Sequence, residues 1–169
     1  VSEVADATGA HAGVNVTVPA AHHPVNVETM FAGLPMLCEK PVAPTVAEGL
    51  SLAAAAEERG QLLMISQSRW YVQGLTQQKA LTGQLGDIGV VTTDFFKAPH
   101  FGGFRAEMAH VLLVDMAIHQ FDALWFLLDQ DPVSVYCEEF NPSWSWYSGA
   151  AAATAMFQPS GGPGTRVYG

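Results

Sequence analysis

Two places in this sequence put ionisable side chains where they could handle a proton beside a ligand. The first is Glu39-Lys40-Pro41, which follows the short apolar run from Leu34 to Cys38. Pro41 lacks an amide N–H and has a fixed φ, so the chain must leave a sheet there. Lys40 then stands at the carboxyl end of a strand, where open α/β sheets build their ligand crevices. The competing reading is a surface turn carrying a solvated Glu–Lys pair. The second place is the apolar stretch 112–128, in which Asp115 and His119 are four residues apart. On a helix they share one face, and Asp122 lies three residues further along it. A carboxylate next to an imidazole can orient the ring, giving a general acid/base with a substrate-positioning partner. The competing reading there is an internal Asp–His hydrogen bond that satisfies two polar groups in an apolar helix.

The elements needed to position these residues are legible as patterns. Gly13 to Val18 alternates and is β-branched, which predicts a strand stopped by Pro19. His22 to Gly33 carries Val25, Val27, Met30 and Phe31 at helical spacing, with Gly33 as its cap. Pro35 to Cys38 predicts the next strand. Thr45 and Glu48 form a capping-box pattern that opens a helix ending near Arg59-Gly60. Gln61 to Ser66 is nearly all apolar, as in a strand buried on both faces. This alternation implies parallel strands with helical crossovers, one half of a doubly wound sheet. After Gln67 the pattern changes. A helix is predicted over 72–82 and a strand over 90–97. A Gly- and aromatic-rich loop runs from Ala98 to Glu107. One continuous buried helix is predicted over 112–128. Strands follow at 133–140, 151–157 and 165–168, the last two joined by Gly161-Gly162-Pro163-Gly164. Strands in succession without helices predict an antiparallel sheet.

Composition narrows the possible partners. The chain has 169 residues, 49% apolar and 14% charged, which is globular in character. With a net charge of −9 and only 7 Lys+Arg, nothing neutralises a row of phosphates, so no nucleic-acid partner is expected. Cys38 and Cys137 lie far apart and match no zinc spacing, so no metal is expected, and two free thiols suit a reducing, cytoplasmic compartment. No long uninterrupted apolar run predicts a membrane span. His11, His100 and His110 read as surface or structural residues.

Glu39-Lys40-Pro41 after a strand, with Asp115-x-x-x-His119 downstream, resembles the Gfo/Idh/MocA family of nicotinamide-dependent oxidoreductases. Thr17-Val18-Pro19 with His22, and Gly83-Gln84-Leu85-Gly86-Asp87-Ile88, support the likeness. It covers nearly the whole chain from about residue 13. The resemblance implies residues 1–67 as part of a dinucleotide-binding Rossmann domain. It implies 68–169 as a C-terminal α/β domain with an open, mainly antiparallel sheet that often forms a homo-oligomer interface. It further implies NAD or NADP as cofactor and hydride transfer to or from a hydroxyl-bearing carbon of a sugar, cyclitol or related polyol. Lys40 would lie by the nicotinamide and the reacting hydroxyl. His119 would take the hydroxyl proton, and Asp115 would hold the substrate or the histidine. Pro19, His22, Glu39 and Gln67 would line the cofactor. Arg105 would meet the substrate, and the aromatic cluster with Trp144 and Trp146 reads either as a stacking face for a sugar or as an edge of hydrophobic core.

The sequence also departs from that family. It has no G-x-G-x-x-G loop, so the resemblance implies an internal piece of a longer enzyme. Ser68 and Trp70 replace the Asn and Arg of the family's N-x-R-[YF] stretch, with Arg69 one place early. Ala150 stands where many relatives carry an acid. A non-catalytic sensor or scaffold of the same fold, or an inactive fragment, is the alternative reading.

Overall fold

A computed structural model of the chain describes residues 1–98, 100–160 and 166–168. The chain divides into two compact units, Val1–Gln67 and Ser68–Gly169.

In the first unit, helix α1 (Ser2–Thr8) precedes three short strands, β1 (Gly13–Asn15), β2 (Met36–Cys38) and β3 (Leu63–Ile65). They form a parallel sheet in the order β1-β2-β3, with Gly13 opposite Met36 and Met36 opposite Leu63. Helices α2 (Pro19–Phe31) and α3 (Val46–Arg59) make the crossovers. Pro19 does more than stop the first strand. It occupies the first turn of α2, where a missing N–H costs nothing because that donor has no intrahelical partner. Thr45 and Glu48 form the complete capping box, each side chain accepting from the other's backbone N–H. Thr45→Ala should therefore lower stability by about 1 kcal/mol. Its expected sign is a lower melting temperature with α3 fraying first in hydrogen exchange.

The core of this unit lies on one face of the sheet. Met30 from α2, Leu52 and Ala55 from α3, and Met36 and Cys38 from β2 are buried together. The opposite face is open. Val14, Leu37 and Met64 are in register across the three strands and are 67%, 40% and 53% exposed. The apolar run at 61–66 predicts burial on both faces of β3, and the structure corrects this. Met64 is apolar but points away from the helix layer.

In the second unit, α4 (Gln73–Thr82) follows a 3₁₀ turn at Ser68–Tyr71. Strand β4 covers only Val90–Thr92, and 93–97 continues as irregular chain rather than strand. A 3₁₀ turn spans Gly103–Glu107. The predicted single helix is a composite. Leu112–Ala117 is π-helical, and α5 (Ile118–Leu128) continues it as an α-helix capped by Asp129 at φ 50°. The two forms differ in which carbonyl each N–H reaches, and a stretch that is apolar on most sides does not reveal which period it follows. Strands β5 (Pro132–Phe140), β6 (Ala152–Pro159) and β7 (Arg166–Tyr168) complete a sheet in the order β4-β7-β6-β5. It is mainly antiparallel, with β4 and β7 parallel. The predicted turn at 161–164 and residue 165 lie outside the described residues. Among the described residues no helix is long and apolar enough to cross a membrane.

Candidate functional site

In the first unit, the chemistry gathers at the carboxyl ends of the parallel strands. Glu39 follows β2 and its amide donates to Asn15 O at the end of β1, 2.9 Å away. Ser66 N donates to Cys38 O at 2.8 Å, so the three strand ends stay in line up to the point where Lys40 and Gln67 leave the sheet. Lys40 and Glu39 are half-buried, and Pro41 is buried. Pro41 follows Lys40 through a cis peptide bond. Gln67 Oε1 is buried and has no hydrogen-bond partner among the described residues.

A buried polar network that no local pattern announces underpins this edge. Asn15 Nδ2 donates to Asn26 Oδ1 at 2.8 Å, and Asn15 Oδ1 accepts from Thr17 N and Thr17 Oγ1 at 3.1 and 2.7 Å. His22 belongs to the same support. It is fully buried, and its ring nitrogens face Pro41 O at 2.7 Å and Thr17 O at 3.1 Å. The resemblance implies that His22 lines a cofactor; in the structure both of its ring nitrogens are turned to these backbone carbonyls. It ties the turn after β1 to the residue that follows Lys40. Pro19 begins α2 beside that turn and is half-buried. Burial pushes the Cys38 thiol up, the Asn26 side chain opposes this, and the neighbouring Glu39 charge adds to it. A thiol held neutral is a core group rather than a nucleophile.

In the second unit, Asp115 is buried within the π-helical segment and His119 lies half-buried in the first turn of α5. Arg105 closes on Asp115 from the preceding loop. Its Nε donates to Oδ2 at 2.6 Å and its Nη2 to Oδ1 at 3.3 Å. The guanidinium lies 5.2 Å from the Phe101 ring and 4.5 Å from the Phe104 ring. A cavity of about 50 Å³ beside this pair is lined by Lys97, Phe101, Asp115, Met116 and Tyr147, among others. It has room for a single small polar group. Trp146 packs 4.9 Å from the His100 ring and 5.8 Å from the Tyr147 ring, whereas Trp144 is 75% exposed. A larger groove of about 820 Å³ runs along α4, β4 and α5, but its walls are chiefly apolar and Arg69 is its one charged lining residue. Of the two, the smaller cavity is the one that Asp115 lines.

Asp122 has a separate task. It accepts from the Trp70 indole N–H at 2.5 Å, which ties α5 to the 3₁₀ turn before α4. Burial pushes the Asp122 carboxyl up, and the indole bond partly opposes this. Between the ordinary carboxylate value and the raised folded value, the folded chain holds more protons than the unfolded chain. The contribution of Asp122 is thus fully present below the unfolded value and falls as pH rises through the folded one. Asp122→Asn keeps an acceptor for the indole and removes this dependence. Melting temperatures measured from pH 4 to pH 7 (about the range between carboxylate and neutral) should decline less with rising pH in this variant.

Residues 1–67 match the Gfo/Idh/MocA family, an oxidoreductase family with an NAD-binding Rossmann fold. The rhizopine catabolism protein MocA of Rhizobium meliloti is 33% identical over 126 residues, 72% of this chain and 39% of that protein. The chain belongs to the Gfo/Idh/MocA oxidoreductase family. An inositol 2-dehydrogenase of Gluconacetobacter diazotrophicus is 31% identical over 111 residues, 64% of this chain and 32% of the enzyme. Among solved structures, an inositol dehydrogenase homolog from Azotobacter vinelandii, complexed with NADH and myo-inositol, matches with a TM-score of 0.76 at 21% identity. That match covers 95% of this chain and 44% of the other. At this identity the likeness is one of fold. The chain thus spans less than half the length of these Gfo/Idh/MocA relatives.

Proposed function

We propose that this chain serves an NAD(P)-dependent dehydrogenase that moves hydride between a nicotinamide cofactor and a hydroxyl-bearing carbon of a sugar, cyclitol or related polyol. The observation that carries the reading is the placement of Lys40 at the carboxyl end of the central strand of a parallel sheet in a Gfo/Idh/MocA chain. The relatives named inositol dehydrogenases support the polyol class. The unsatisfied Gln67 Oε1 and the half-buried Lys40 fit the amide- and hydroxyl-bearing end of a dinucleotide, whose polar groups would meet them. Pro19, Glu39, Lys40 and Gln67 would hold it.

The cofactor supplies the hydride acceptor. The chain's own residues supply the rest. When an alcohol carbon gives up its hydride, the hydroxyl proton must leave as the carbonyl forms. His119 would accept that proton at a ring nitrogen, and Asp115 would accept a hydrogen bond from a substrate hydroxyl. Lys40 would donate to the developing carbonyl oxygen. Trp146 and Trp144 would offer aromatic faces to a sugar ring.

The reading extends to assembly and compartment. The second sheet would form a homo-oligomer interface. Strand β5 supports this, because it is an edge strand that exposes Val133, Val135, Tyr136 and Phe140 by half or more. The free thiols Cys38 and Cys137, the latter exposed, support a reducing cytoplasmic setting. The test is polyol-dependent reduction of NAD⁺ and NADP⁺ across inositols and aldoses, together with quenching of tryptophan fluorescence by the reduced cofactors. Saturable quenching with turnover on a polyol is expected. Saturable quenching with no turnover on any polyol would favour a sensor, and no quenching at all would overturn the cofactor reading.

A further inference from the structure

The pairing of Arg105 with Asp115 divides the labour of the site. Asp115 is 4% exposed, and both of its carboxylate oxygens are taken side-on by one guanidinium. A buried carboxylate gripped in this way keeps its charge compensated and its plane fixed. The grip is itself held. The Phe101 and Phe104 rings lie against the guanidinium, Phe101 N donates to Tyr147 Oη at 3.2 Å, and Ser148 Oγ donates to Ala106 O at 2.8 Å. The loop that carries Arg105 is thereby fastened beside the small cavity lined by Lys97, Phe101, Asp115 and Tyr147. A lysine could supply the charge but not the planar two-point contact or the stacking.

We infer that Arg105 is a positioning residue: it fixes Asp115 as a standing anion that accepts a hydrogen bond from a substrate hydroxyl without taking its proton, and it draws the Phe101–Met108 segment over the cavity. Accepting the proton would break the ion pair in a buried setting, so that step falls to His119. This division of labour rests on the hydride-transfer reading, whereas the fastening of the segment does not.

Arg105→Gln separates the two parts. Backbone amides of 102–108 should exchange about tenfold faster, the scale of one lost charge-assisted bond. The KM for the polyol should rise by about tenfold on the same scale, with the pH dependence of kcat unchanged because His119 is untouched. Arg105→Lys should recover part of KM and leave exchange elevated. In an Asp115→Asn background, Arg105→Gln should add little to either readout. Wild-type exchange in Arg105→Gln, or effects that simply add to those of Asp115→Asn, would overturn the inference. If Arg105→Gln does not fold, Arg105→Lys decides the exchange question alone. If the wild-type protein oxidises no polyol, the exchange data still decide the fastening, and the failure belongs to the hydride-transfer reading.

Discussion

His119→Ala is expected to slow polyol oxidation by about 10²–10⁴-fold, the usual loss when a positioned acid/base is removed. The reason lies in the composition of the helix that carries it. From Leu112 to Leu128 the ionisable residues are Asp115, His119 and Asp122. Asp115 is committed to Arg105, and Asp122 to the Trp70 indole. On the proposed reading, His119 would be the group that cycles a proton at each turnover. Binding of reduced cofactor should be little changed, because the residues proposed to hold it are Pro19, Glu39, Lys40 and Gln67. The informative measurement is a single-turnover comparison with fluorescence titration. Intact cofactor binding with lost turnover supports the role of His119, and unimpaired turnover removes it.

Gly149→Ala should be a severely damaging substitution, with the closest backbone approach among the described glycines. A Cβ at this position would lie 2.0 Å from Met108 O and 2.5 Å from Ala109 O. These are backbone atoms, so no side chain can swing aside. Ala150 N donates to Ala109 O at 2.8 Å, which pins the same two segments together. The methyl must either break that bond or push the 141–150 loop away from the start of the composite helix. A loss of about 3 kcal/mol is expected, the upper range for overpacking. The aromatic loop should suffer with it, since Trp146 and Tyr147 lie just before the glycine. Urea denaturation with near-ultraviolet circular dichroism checks both effects. A variant as stable as wild type with an unchanged aromatic spectrum would show that the close approach is not maintained in solution.

What the sequence showed, and what it hid, follows from how local each signal is. The α3 capping box was legible because Thr45 and Glu48 interact only with their own first turn. Gly60, at φ 59°, closes the same helix for an equally local reason. The family was legible because its marks are short and ordered along the chain. Pro19 reads as a strand stop because a proline looks the same whether it ends one element or opens the next. The pattern buries Met64 because hydrophobicity does not say which face of a sheet the helices cover. The Arg105–Asp115 pair leaves no trace in the pattern, since its arginine comes from a 3₁₀ turn too short to show a period. Nor does the Asn15–Asn26 bond, in which two neutral amides meet only once β1 and α2 have packed.

The π-helical segment Leu112–Ala117 makes the number of residues there matter as much as their kind. Each residue of an α-helix turns it by about 100° and advances it by about 1.5 Å. Removing Met116 would shorten the Asp115–His119 spacing from four residues to three and change the bearing of His119 and Asp122 relative to Asp115, which Arg105 holds in place. Exchanging Met116 for another unbranched apolar residue would leave that bearing untouched. Along this stretch, a one-residue deletion is a change of aim, while many substitutions are only changes of filling.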